Sequence, residues 1–334
     1  MSRLLAPLVP LYSAAVSAKN AAYTRGWTRP KRLGWPVISI GNLSVGGSGK
    51  TPLTIRLVAL LRERCLAVDV LSRGYGRKSK AVARVDPNGS ADEFGDEPLL
   101  IAREAGVPVF VGGSRHAAGL LAEARSAVRG VHLLDDGFQH RQLSRNVDIV
   151  VLHRTDFEEG LLPAGRLRER LDALQRAHFL ALREEDRGLE ETLRRRGLPQ
   201  PIWWMERRLE VPQVRRAVAF CAIARPGEFF SGLKGQGVAV AGTRSWRDHH
   251  AFTRTDVLEL MELQRQQEAD AFLTTAKDLV RLSGDQRCAL EKAAPIHAVP
   301  LRVRLSDEGA AVDAILNLLP GPWRAGGDRL SQTP

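Results

Sequence analysis

The stretch "ISIGNLSVGGSGKTPLTIRL", residues 38 to 57, sets Gly46, Gly47, Gly49, Lys50 and Thr51 at a spacing suited to one kind of chemistry. Glycines let backbone amides turn inward, and at the positive end of a helix dipole such amides cradle phosphate oxygens. Lys50 would reach the outer phosphates and Thr51 a magnesium ion. The match to G-x-x-x-x-G-K-[ST] is incomplete, because Ser44 stands where the first glycine belongs, followed by Val45 and, within the glycines, Ser48. A plain glycine-rich turn before a helix is the simpler reading. The flanks argue against it: Val37, Ile38 and Ile40 form a β-rich run before the turn, and Leu53, Ile55, Leu57, Val58 and Leu61 recur at helical spacing after it.

Further acids and cations follow. In "HLLDDGFQH" an apolar run ends in Asp135 and Asp136, the form of a Walker B strand, and either acid could hold the magnesium shell. "EFGDEPLLIAREAG" sets Asp96 and Glu97 before a helix with Pro98 in its first turn. Asp96 can cap that helix, or it can accept the proton of an attacking hydroxyl. "SWRDHHAFT" offers His249, which beside an acid can orient it or tune its proton affinity. "SRGYGR" and "LLPAGRLRE" supply Arg73, Arg77, Arg166 and Arg168, and Arg115 opens the helix after "VFVGG". Guanidinium forks suit phosphate recognition.

These groups need a common edge. Residues 66–71, 107–111, 131–134 and 147–152 are short apolar or β-branched runs, expected as buried parallel strands separated by helices. In such a sheet the loops leaving the carboxyl ends of the strands share one side, where ligands bind. The fold expected is α/β: a P-loop NTPase-like, mostly parallel sheet with helices on both faces, plus a second, smaller α/β domain. The second domain rests on 217–224, 237–243, 271–275 and 296–305 alternating with helical patterns such as 254–267. An arginine- and glutamate-rich stretch over 182–200 is expected as a solvated helix, and the boundary is placed near 205. The divisions are 1–35, 36–205, 206–320 and a frayed tail, 321–334.

The chain has 334 residues, 44% apolar and 26% charged, which describes a globular protein long enough for two cores. Cys65, Cys221 and Cys288 lie far apart and form no C-x-x-C pair, consistent with a reducing compartment and no zinc site. The net charge of +11 asks for an acidic partner: nucleic acid, an anionic membrane or a phosphorylated substrate. Residues 1–35 carry Arg3, Lys19, Arg25, Arg29, Lys31 and Arg32 with no acid, among Leu4, Leu5, Leu8, Val9, Leu11 and Trp27. No stretch there reaches the roughly 20 apolar residues that span a bilayer. An interfacial helix with a basic flank fits best. A secretory signal ending at Ala-Val-Ser-Ala is the competing reading, and an ATP-using domain from Val37 on argues against it. The concentration of cations at an apolar N-terminus also disfavours a nucleic-acid-binding ATPase.

"GNLSVGGSGKTP", "SRGYGR", "GDEPLLIA", "DDGFQH", "LLPAGRLRE" and "DHHAFT", in this order over roughly 38–253, resemble the tetraacyldisaccharide 4'-kinase family, the lipid A 4'-kinases of Gram-negative bacteria. The family's loop carries a small hydroxyl residue at the position of Ser44. The resemblance implies a kinase that moves the γ-phosphate of ATP, with Mg2+, to the 4'-hydroxyl of tetraacyldisaccharide 1-phosphate at the cytoplasmic face of the inner membrane, as a peripheral or monotopic protein. It implies Asp96 as general base, His249 as its partner, Lys50 and Thr51 in the phosphate loop, and Glu97, Asp135 and Asp136 around magnesium. Arg247 stands where the family has proline, and Ala276 where it usually has glutamate. The alternative is a nucleotide-driven switch or metal-delivery NTPase acting on a protein partner.

Overall fold

The computed structural model describes residues 3–323. Thirteen strands follow in order: β1 (Val37–Asn42), β2 (Ala67–Ser72), β3 (Ala83–Arg84), β4 (Val109–Val111), β5 (Gly130–Asp135), β6 (Val147–Val151), β7 (Phe179–Arg183), β8 (Ile202–Leu209), β9 (Ala217–Cys221), β10 (Val240–Ser245), β11 (Ala271–Thr275), β12 (Ile296–Val299) and β13 (Leu301–Leu305). They form a nine-stranded sheet, β13-β8-β7-β6-β1-β5-β2-β4-β3, and a four-stranded sheet, β10-β9-β11-β12. The large sheet is parallel except at its two edges, where β3 runs against β4 and β13 against β8. This is the expected α/β class.

Period-2 alternation fixes which side of the large sheet each residue serves. Ile38 and Ile40 of β1, with Ile149 and Val151 of β6, face a core shared with Leu53, Leu57 and Leu61 and with Leu99 and Ile101. Val150 and Leu152 face an opposite core with Leu174 and Leu193, while Val37 packs with Phe110 and Ala118. Helices therefore cover both faces. The second sheet buries Phe220 and Phe272 against the helix Arg254–Gln266.

Strand pairing does not divide the chain at one point. β8 spans residue 205, and β13 returns from the C-terminal half to pair antiparallel with β8 on the large sheet. The run 296–305 is two strands in different sheets: Pro300, with no N–H, breaks it, and its carbonyl accepts from Glu210 N at 2.9 Å. Arg56 then ties the helix after the phosphate loop to the helix Glu308–Leu318 through Glu308, at 2.5 and 2.7 Å. The stretch 182–200 contains the end of β7, a 3-10 turn and only a short helix, Leu189–Arg195, with exposed pairs Arg194–Glu190 and Arg195–Glu191. At the C-terminus Gly321–Trp323 forms a 3-10 turn with Trp323 buried, and the remainder of the expected tail lies outside the described residues.

The N-terminal segment is a 3-10 turn, Arg3–Leu8, leading into α1 (Val9–Thr24). None of the described residues of α1 is buried, and Leu11 is 72% exposed. No helix among the described residues is long and apolar enough to cross a membrane.

Candidate active site

The phosphate loop leaves the carboxyl end of β1 and enters α2 (Lys50–Glu63). Gly49 caps α2 in the left-handed region, φ 93°, and offers no side-chain cap, so the first-turn amides of Lys50 and Thr51 stay free for an anion. Gly46 also has positive φ, and a Cβ there would meet the Arg166 guanidinium at 2.2 Å. Arg166 itself donates to the Val45 carbonyl at 2.9 Å and accepts from Val45 N through its own carbonyl at 2.9 Å. It shapes the loop from outside. Ser44 is buried, its carbonyl held by Asn42 Nδ2 at 2.7 Å.

β5 lies beside β1 in parallel register, with Asp135 opposite Ile40, so the acids of "DDGFQH" emerge next to the phosphate loop. Asp135 is buried and neither carboxylate oxygen has a hydrogen-bond partner. Burial, with Glu97 and Asp136 nearby, pushes its carboxyl up to about 7. Asp136 behaves oppositely. Burial would raise it, but the Lys50 ammonium at 3.4 Å and Arg168 Nη1 at 2.8 Å outweigh that and hold it below the usual carboxylate range. Its backbone is left-handed, φ 51°.

Four described non-glycine residues have positive φ: Cys65, Asp136, His249 and Glu268. Cys65 and Glu268 follow helix C-caps, where that conformation is ordinary. Asp136 and His249 do not, and each carries a strain of about 1–3 kcal/mol that the surroundings must sustain.

Asp96 begins the helix Asp96–Ala105, whose N-cap is Gly95, so Asp96 does not occupy the capping position. Its Oδ2 receives Arg281 Nη2 at 2.5 Å and Nε at 2.8 Å and meets His249 Nδ1 at 2.9 Å. Among the described residues its Oδ1 accepts only the Glu97 amide, at 2.9 Å. Burial would raise this carboxyl; the His249 hydrogen bond and the charges of Lys277 and Arg281 reverse the effect and hold it well below the usual range. Lys277 Nζ lies 3.0 Å from Glu97 Oε1 and 3.4 Å from His249 Nε2. Tyr75 tilts against His249, ring centroids 5.3 Å apart.

One cleft of roughly 1040 Å³ is lined by Val45 to Thr51, Glu97, Asp135, Asp136, His249 and Lys277, while Asp96, which is buried, and Arg281 are not among its lining residues. Of the five arginines expected there, Arg73 and Arg168 line it. Arg77, Arg115 and Arg166 are not among its lining residues. Arg115 is buried behind it, donating to the Gly113 carbonyl at 3.0 Å, and burial with the charge of Arg73 lowers its guanidinium to about 10.

Sequence reasoning missed Lys277 and Arg281. The available signal was "TTAKD" at the end of β11, where Thr275 caps the helix Ala276–Arg281 and aims its first residues at the cleft. It also missed Glu228, which gathers Arg183 at 2.6 Å, Arg225 and His153 at 3.3 Å and Arg207 at 3.4 Å, joining elements of both sheets.

Hard oxygen donors fit a magnesium ion. Asp135 offers two unpartnered buried oxygens, and Asp136, Glu97 and Thr51 line the same cleft. Among the described residues no three His, Cys, Asp or Glu side chains form a metal-holding group. Magnesium in phosphoryl-transfer sites is held by one or two carboxylates together with substrate phosphates, so no such protein cage is required.

A phosphate loop on β1, an acid pair on β5 and a mostly parallel sheet define a P-loop phosphotransferase. The family described as tetraacyldisaccharide-1-P 4'-kinase matches residues 1–320. The tetraacyldisaccharide 4'-kinase of Koribacter versatilis is 41% identical over 324 residues, covering 94% of this chain and 98% of its own. The one from Chromobacterium violaceum is 37% identical, covering 92% and 91%. A crystal structure of LpxK from Aquifex aeolicus in complex with ATP superposes with a TM-score of 0.77 at 34% identity, covering 95% of this chain and 98% of that one. The chain belongs to the tetraacyldisaccharide 4'-kinase family. It is an ATP-dependent kinase of lipid A biosynthesis, and the alternative of a nucleotide switch or metal-delivery protein is not favoured.

Proposed function

We propose the following division of labour for the transfer of the ATP γ-phosphate to the 4'-hydroxyl of tetraacyldisaccharide 1-phosphate. The loop amides of Val45 to Thr51 and the Lys50 ammonium bind the β- and γ-phosphates. Thr51, Glu97, Asp135 and Asp136 would hold the magnesium ion. When bound, that ion neutralises charge on the phosphates.

Asp96 orients the acceptor. Its Oδ2 is saturated by Arg281 and His249, while Oδ1 keeps a lone pair beyond the Glu97 amide, free to accept the 4'-hydroxyl proton. The hydroxyl oxygen bonds to the γ-phosphorus, the bond to the β,γ-bridging oxygen breaks, ADP leaves, and the proton passes to Asp96. A carboxylate of depressed pKa suits this task, because a loose transition state asks mainly for positioning and leaves the proton on the hydroxyl until late. His249 and Lys277 fix the carboxylates from the second sheet. Arg73 and Arg168 face the acceptor's anionic groups, with Arg77, Arg115 and Arg166 supporting the loops around them.

The lipid acceptor keeps its chains in a bilayer, and α1 with its basic flank supports attachment to the cytoplasmic face of the inner membrane. Leu11 is exposed on that helix, as is Leu8 just before it, and Trp27, beyond it, is 74% exposed. The observation that carries the reading is the meeting of Asp96 with His249, 153 residues apart, at 2.9 Å, with His249 lining the same cleft as the phosphate loop. Incubation with γ-labelled ATP, Mg2+ and tetraacyldisaccharide 1-phosphate should give lipid-linked label. Hydrolysis unaffected by lipid, with no labelled lipid, would refute it.

A further inference from the structure

α1 touches the rest of the chain at a few polar points, and they converge. Tyr12 Oη donates to the Arg168 carbonyl at 2.9 Å, and Arg168 is the cation that grips Asp136 at 2.8 and 3.0 Å. Asn20 Nδ2 donates to Glu169 Oε2 at 2.6 Å. Glu169 is almost fully buried and also receives Arg176 Nη2 at 2.9 and 3.1 Å. The Arg176 guanidinium in turn lies 4.6 Å over the ring of Phe138, a fully buried residue two positions after Asp136. Lys19 donates to the Gln139 carbonyl at 3.2 Å, and Arg141 reaches back to the Asn20 carbonyl at 2.9 Å and stacks over Tyr23 at 5.2 Å. Lys19 and Arg141 join α1 to residues 136–141 directly, and Tyr12 and Asn20 reach them through Arg168 and through Glu169 with Arg176.

The spacing of Tyr12, Val16, Lys19 and Asn20 sets them on one side of the helix, against the cleft. Leu8 and Leu11 remain exposed, on a segment with six cations and no acid among residues 1–35. An anionic lipid surface answers both properties. The segment at the far end of the links includes the left-handed Asp136, a conformation that neighbours must enforce.

We propose that α1 is a positioning strap: through Tyr12, Asn20 and Glu169 it sets the loop 136–141, so that seating the helix on an anionic bilayer and binding the magnesium nucleotide are energetically linked. This rests on the reading of Asp136 as a magnesium-side acid. Linkage is reciprocal, so vesicles should tighten magnesium-nucleotide binding by the same factor by which the magnesium nucleotide tightens vesicle binding.

The test uses the full chain, a non-hydrolysable fluorescent ATP analogue, and vesicles of phosphatidylethanolamine with phosphatidylglycerol. Vesicles should lower the Mg2+ concentration for half-maximal analogue binding by about 5-fold, the lower end of ordinary coupling. They should also slow amide hydrogen exchange across 136–141. Asn20→Ala should sediment with vesicles as the parent does and lose both responses; Tyr12→Phe, which removes one hydroxyl only, should lose part of them. A parental response in Asn20→Ala, or none in the parent, would overturn the strap. Asp136→Asn distinguishes the underlying reading: an unaltered Mg2+ requirement there removes the metal assignment, and the exchange measurement, which needs no metal, still decides whether α1 holds the loop.

Discussion

Asparagine at position 96 keeps the shape of the side chain and removes its charge and its proton acceptor. Were Asp96 a helix cap, the change would be nearly silent, since asparagine caps as well as aspartate. The cap is Gly95, and Asp96 instead accepts from Arg281 at 2.5 and 2.8 Å and meets His249 at 2.9 Å. Loss of a charged acceptor from such a cluster costs about 1.5–3 kcal/mol of stability. Turnover should fall more, by about 10²- to 10⁴-fold, because the amide cannot take the hydroxyl proton. That is about 2.7–5.4 kcal/mol of barrier. Initial rates in mixed micelles, below the melting temperature of the variant, measure the second effect separately from the first. Nucleotide affinity should hardly change, because the phosphate loop is intact. His249→Ala should also slow turnover, and the double variant should be much less than multiplicatively worse. Near-parental turnover of Asp96→Asn would remove Asp96 from the mechanism.

Lys277→Met removes the partner of Glu97 at 3.0 Å and should destabilise the chain by about 1–3 kcal/mol, with turnover lowered further than melting explains, both read from thermal unfolding and initial rates. The depressed pKa of Asp96 means its charge stabilises the fold above the unfolded value near 4 and that this contribution is lost as pH falls through the folded value. The melting-temperature gap between the parent and Asp96→Asn should therefore be constant from about pH 7 to 5 and shrink on further acidification; a gap that widens would contradict the assignment. Deleting residues 1–25 should leave a folded, nucleotide-binding chain that no longer sediments with anionic vesicles and turns over lipid poorly, since α1 buries none of its described residues.

Much of the site was legible because its parts are local. The phosphate loop after β1 and the acid pair at the end of β5 each sit at the carboxyl end of a strand, and parallel order brings such ends together, whereas Asp96 and Glu97 reach the site as the first residues of the helix Asp96–Ala105. β7 and β8 were not legible: "FLALR" adjoins charged residues, and "IWWMERRL" mixes aromatic and charged side chains at the sheet's edge region. The return of β13 was hidden by the apolar continuity of 296–305, which Pro300 interrupts without changing the hydropathy. Lys277 and Arg281 were missed for a different reason. A lysine and an arginine on a short helix look solvated in sequence, and only the tertiary approach of the helix Ala276–Arg281 to Asp96 and Glu97 gives them partners. For the arginines the reverse holds: residue type suggested five at the cleft, and backbone path places Arg166 behind Val45 and Arg115 behind Gly113.

The position of the transferred phosphate tests the central claim most directly. Purified chain, Mg2+, γ-labelled ATP and tetraacyldisaccharide 1-phosphate, with the product fragmented by mass spectrometry, should show one new phosphate on the 4'-oxygen of the distal glucosamine, and a 4'-deoxy acceptor should take up no label. Label on another oxygen, or equal labelling of the 4'-deoxy acceptor, would contradict the account.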